Sequence, residues 1–275
     1  MKNILYVLIL ITVVSCSEKI NPEITVEELR ESVYFLASDS LRGRKAGEPG
    51  DSLAAMFIRR QFENAGLHLL FENGFQQFEL VTSARLGEGN FLSVNGDTFK
   101  VETDFSPYAF SANTSVEAPV VFAGYGLELN RDTLKWNDFE TIDVAGKWLL
   151  VLQGDPDLDN PQSPYVEFST ERAKALKAED KKAAGLILVA GTAFSGNDEL
   201  SPMFFDKNVS RYSIPVIQVT RAVANQILSE TGKTIESLES EMKARNSSVS
   251  VETKSRVAAG IHVEPEKANS QNVAA

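Results

Sequence analysis

The chain has 275 residues, 43% of them hydrophobic and 24% charged, proportions that fit a globular protein and exclude a wholly disordered one. Its 27 basic and 38 acidic residues leave a net charge of −11. With no cluster of basic residues interleaved with aromatics, no nucleic-acid partner is expected, since phosphate binding needs concentrated Lys and Arg; the single cysteine excludes an intrachain disulfide.

At the start of the chain, Lys2 precedes an apolar run from Ile4 to Val14. The run is too short for a bilayer span of about 20 residues and reads as an export signal over residues 1–15. Val13-Val14-Ser15-Cys16 brings small residues up to the only cysteine, an arrangement that resembles the lipobox of bacterial lipoproteins. The resemblance implies cleavage before Cys16, lipidation of its sulfur, and a lipid-anchored position in a bacterial cell envelope, with the membrane as a partner through the anchor. The alternative is a plain secretory signal with an incidental cysteine.

Thr25-Val26-Glu27-Glu28 has the form of a capping box, and Val26, Leu29, Val33 and Leu36 recur at helical spacing, so a helix is expected from about Val26 to Ala37. LASDSLRGRKAGEPG, residues 36–50, breaks it with glycines and a proline and reads as a connector. Asp51 is the expected cap of a second helix, with Ala54, Ile58, Phe62 and Ala65 on one face and Gly66 as its left-handed stop. Val94-Asn95-Gly96-Asp97 then marks a hairpin.

The next region has the short apolar runs of buried strands: Ala118 to Tyr125, Trp148 to Gln153, Leu186 to Ala190 and Ile214 to Val219. Helices are expected over Thr170 to Ala184, Arg221 to Ser229 and Glu236 to Ala244, and a half-exposed strand over Val249 to Thr253. The fold class is thus α/β: a β-rich α/β module preceded by a two-helix plus hairpin N-terminal segment.

The residues that could carry chemistry are few. His68 and His262 are the only histidines, far apart and without a second ligand type at zinc spacing. Asp155 to Asn160 alternates acidic residues as a calcium loop does, but Asn160 replaces the turn glycine and Val166 the bidentate glutamate, leaving a solvated turn. G-x-S-x-G is absent, and Gly124-Tyr125-Gly126 is a lone G-x-G that reads as a turn. No catalytic and no metal residue is therefore assigned; the single modification site is the lipidated Cys16.

Phe35-Leu36-Ala37-Ser38-Asp39-Ser40-Leu41-Arg42-Gly43-Arg44, with Gly47, Pro49-Gly50 and the helix to Gly66-Leu67, resembles the opening of the family-28 metallopeptidases of clan MH, bacterial zinc aminopeptidases. Ala118 to Gly126, Asp138-Phe139, Ile142 to Lys147, Trp148 to Pro156, Ala183-Ala184-Gly185 and Ile214-Pro215-Val216 resemble the protease-associated (PA) domain inserted in many of them. The resemblance implies an N-terminal segment over residues 16–112, a PA domain over 113–255, and in 256–275 the start of a peptidase domain, with Ser270 to Val273 opening its first strand. It further implies that zinc, its ligands and the general base belong to a catalytic domain missing from this chain, which itself holds no cofactor. The expected function is the non-catalytic N-terminal and PA-domain portion of an exported zinc-dependent aminopeptidase acting on peptide or protein substrates. The alternative is a stand-alone PA-domain lipoprotein that binds peptides or a protein partner.

Overall fold

A computed structural model describes residues 25–131 and 134–275; Cys16 and the export signal lie outside the described residues. The chain divides into two compact units, one reaching Glu79 and including Asn269–Ala275, the other running from Leu80 to Ala268. No helix among the described residues is long and apolar enough to cross a membrane.

In the first unit α1 spans Val26–Leu36. Thr25 accepts from the Glu28 amide, and the Glu28 side chain in return accepts from the Thr25 amide, closing the predicted capping box. The connector is more ordered than its glycines imply: Asp39–Arg44 forms 3-10 turns in which Arg42, Gly43 and Arg44 have positive φ, and Leu41 is buried. Helix α2 spans Pro49–Asn64. Asp51 is not its cap. Glu48 holds the cap position without a side-chain bond, because Pro49 starts the helix three residues early. The Asp51 carboxylate instead accepts from the Gly47 amide and the Ser270 hydroxyl. Gly66 is left-handed as expected.

Strand β1 covers Phe75–Leu86, and β2 (Phe91–Val94) and β3 (Asp97–Phe99) form the predicted hairpin across Asn95-Gly96, both at positive φ. The strands that follow are β4 (Phe105–Pro107), β5 (Ser115–Ala123), β6 (Glu128–Arg131), β7 (Leu134–Asn137) and β8 (Trp148–Leu152). After α3 (Val166–Ser169) and α4 (Glu171–Asp180) come β9 (Gly185–Val189) and β10 (Val216–Val219), then α5 (Arg221–Leu228), α6 (Ile235–Arg245), β11 (Ser250–Gly260) and β12 (Val263–Val273). The expected strand over Val249 to Thr253 is the first half of β11, and the strand expected to open at Ser270 is the end of β12, which pairs with β1.

The main sheet has eight strands in the order β3-β2-β11-β5-β8-β9-β10-β4. Pairing is parallel through β5, β8, β9 and β10 and antiparallel at β11, β2, β3 and β4. Because side chains alternate along a strand, the central strands feed two cores. Val120, Phe122, Trp148, Leu150, Leu152, Ile187 and Ile217 pack with Val223, Ile227, Leu238 and Met242 of α5 and α6. Val121, Leu149, Val151, Leu186, Leu188 and Val216 pack with Ala175 and Ala178 of α4 on the other face. Both faces of the parallel strands are covered, which is why those strands are continuously apolar.

At the outer edge, β4 pairs Ser106 opposite Gln218. The Phe105 carbonyl accepts from Glu102 and its amide donates to Lys100, and Pro107 has no N–H at all. The compact unit from Leu80 to Ala268 is wider than residues 113–255, since β2 and the second half of β11 pair with each other.

A candidate groove at the end of the parallel strands

Ligands of open α/β sheets bind beyond the carboxyl ends of the strands. Here a groove of about 430 Å³ opens there, within the size range of ligand sites. Its floor comes from the residues just past or within strand ends, Gln153 after β8 and Gln218 in β10, and from Tyr108 and Phe110 after β4. One wall is the start of α4, with Glu171 and Arg172; the other is the β9–β10 connection, with Phe194, Met203 and Phe204. Phe204 is 77% exposed and Phe194 42% exposed.

Within this second wall the segment from Ser201 to Ser210, which carries Met203 and Phe204, is tied on either side of those two residues. Gln218 brackets Ser201, accepting from its amide at 3.1 Å and donating to its carbonyl. The Arg172 guanidinium grips Asp206 with two nitrogens and donates to the Asn208 and Ser210 carbonyls at 3.0 Å. It also lies 4.6 Å from the Phe110 ring centroid. The Arg172 guanidinium holds the Asp206 carboxyl below its ordinary range. On the floor, the Gln153 amide donates to the Tyr108 hydroxyl at 2.8 Å. Burial, and then the Glu171 charge, push the Tyr108 hydroxyl well above its ordinary pKa, so it faces the groove as a neutral donor.

Beneath the groove a polar knot fixes the start of α4. Lys174 is buried and donates to the Leu152 and Gly154 carbonyls, both at 2.6 Å; burial lowers its pKa to about 7. Nearby Asp138, also buried, accepts from the Tyr125 and Leu127 amides and the Trp136 indole at 2.9–3.1 Å.

The residues weighed in the sequence do not enter the groove. His68 and His262 fall in different units, and among the described residues no group of three His, Cys, Asp or Glu is arranged to hold a metal. His262 lies with its Nε2 3.8 Å from Glu264 and its Nδ1 3.1 Å from the Glu88 carbonyl. Asp155 to Asn160 is the turn expected, with the Asp157 amide donating to the Asp155 carboxylate. Gly124 and Gly126 have positive φ, and Gly126 donates to Ala123, so the G-x-G is likewise a turn.

A protein-family model of the PA domain matches residues 116–227. The chain carries a PA domain. All the groove's walls except β4 and the residues after it come from this PA domain. No curated protein matches the chain. Among solved structures, it is similar to BSAP, a zinc aminopeptidase from Bacillus subtilis, at 18% identity and a TM-score of 0.41 over 88% of this chain and 44% of that one. A second BSAP structure gives 20% identity and the same TM-score. The subtilisin-like protease Apa1 from Pseudoalteromonas sp. AS-11 follows at 13% and 0.31, over 73% of this chain and 36% of that one. The chain thus spans less than half the length of these proteins.

Proposed function

We propose that this chain is the PA-domain-bearing, accessory portion of an exported family-28 zinc aminopeptidase, anchored to a bacterial envelope through Cys16. In this reading its work is to hold polypeptide in the groove above β8 and β10. The observation that carries the reading is the groove itself: a PA-domain cleft with exposed Phe194 and Phe204, tied open at Ser201 and Asp206. Exposed aromatics around a few fixed polar groups are what polypeptide binding sites present. The family assignment is supported by the run from Phe35 to Arg44 and the helix to Leu67; the catalytic domain and its zinc belong to that resemblance.

Binding of a fluorescein-labelled, reduced and carboxymethylated polypeptide to the mature chain tests the groove. Saturable binding that weakens about tenfold or more in Phe204→Asp is expected, because a charge placed at an apolar contact must be desolvated. Saturable binding unaffected by Phe204→Asp, or no binding at all, would overturn the groove as the site.

A further inference from the structure

Three charged side chains surround the groove, and two are already committed. Arg172 is engaged by Asp206, Asn208 and Ser210 through four of its five N–H donors, and Asp206 is its ion-pair partner. Lys174 lies buried below, with its ammonium on two carbonyls. Glu171 alone lines the groove with no hydrogen bond or ion pair to its carboxylate among the described residues. Its place in the first turn of α4 sets it against a helix end worth only about half an elementary charge.

Main-chain pairing offers an occupant little, since the outer side of β4 is closed by the Lys100–Glu102 turn and by Pro107. Recognition falls to side chains. An apolar pocket between Phe110, Phe194 and Phe204 and, on the same rim, a carboxylate with no direct hydrogen-bonded partner, only the through-space charge of buried Lys174, complement a bulky apolar group next to a positive charge. We propose that the groove selects polypeptide segments in which a large apolar side chain adjoins a cation, the apolar group entering among the phenylalanines and the cation pairing with Glu171. This rests on the reading of the groove as a polypeptide site.

Four fluorescein-labelled, N-acetylated and C-amidated peptides test it on the mature chain: Ala-Phe-Lys-Ala, Ala-Phe-Gln-Ala, Ala-Phe-Glu-Ala and Ala-Ala-Lys-Ala. The Phe-Lys peptide should bind about tenfold tighter than Phe-Glu, with Phe-Gln between and Ala-Lys weakest, a spread typical of a charge matched or opposed at a rim. Glu171→Gln should bring the first three together, and Glu171→Asp should keep the order, with the melting temperature of both variants near that of the parent. Equal binding of the three Phe peptides, or an unchanged order in Glu171→Gln, overturns the charge selection while the groove stands. Absence of saturable binding by any peptide, together with failure of the unfolded polypeptide to bind, overturns both.

Discussion

Gly124 and Asp138 fit together with no space for a methyl group between them. Gly124 has φ +44, and a Cβ there would fall far inside van der Waals contact of the Asp138 carboxylate. That carboxylate receives the two amides following Gly124's own turn, Tyr125 and Leu127, as well as the Trp136 indole. Gly124→Ala should therefore destabilise the Leu80–Ala268 unit by about 2–4 kcal/mol, from left-handed strain plus disturbed buried hydrogen bonds. Urea unfolding measures it; a loss below about 1 kcal/mol would show that the carboxylate can move aside.

Lys174 gives the unit an alkaline response. Its pKa is lowered by burial from 10.5 to about 7 in the folded chain, so between these values the unfolded chain keeps a proton that the folded chain has released. Stability contributed at this residue accordingly rises as pH goes from 7 towards 10. In Lys174→Met that rise should vanish, whatever the variant's stability at pH 7. Chemical denaturation at a series of pH values reads the slope, and an identical slope in both proteins would refute the assignment.

Arg172→Ala should release the groove wall while leaving the sheet intact. Four hydrogen bonds from one partly buried guanidinium tie residues 206–210 to α4. Amides of residues 201–212 should exchange with solvent roughly tenfold faster, with those of β8 and β9 unchanged. Uniform loss of protection across the unit would mean that Arg172 supports the whole fold.

The extent of the cooperative unit can be tested by expression. A fragment of residues 80–268 should unfold in one transition, and residues 115–254 should not, because the shorter piece lacks β2 and the residues of β11 that pair with both β2 and β5. That leaves Ala118 and Val120, otherwise buried, beside a shortened β11. A sharp single transition for 115–254 would place the boundary further in.

If Cys16 carries the anchor, Cys16→Ser should move the mature chain from the membrane fraction to the soluble one, since a lipoprotein is held by its acyl chains. Retention of the processed variant in the membrane would count against lipidation.

The central strands were legible because their apolar runs follow from burial on both faces, and the first helix because Thr25 and Glu28 spell its capping box; Thr170, expected inside its helix, and Thr220 turn out to be caps as well. Strand β12 was not: Glu264-Pro265-Glu266-Lys267 has neither alternation nor β-branched residues, and its structure comes from pairing with β1, a partner nearly 200 positions earlier. Asp51 was misread because a carboxylate near a helix start resembles a cap until Pro49 fixes where the helix begins. The groove left no local signal at all. Tyr108, Gln153, Arg172 and Phe204 lie on separate segments, and only the sheet order, with β4 returning beside β10, brings them together.

Pro107 has a kinetic consequence. A polypeptide that docks by adding a strand forms a ladder of bonds that must break together, whereas a groove that withholds the ladder is left one side chain at a time. Differences in affinity among related ligands reside mostly in the rate of leaving. If the groove holds polypeptide, then, dwell time beside Pro107 is set by whichever residue lies among the phenylalanines, and a chain sliding past would be sampled and let go repeatedly instead of being stored.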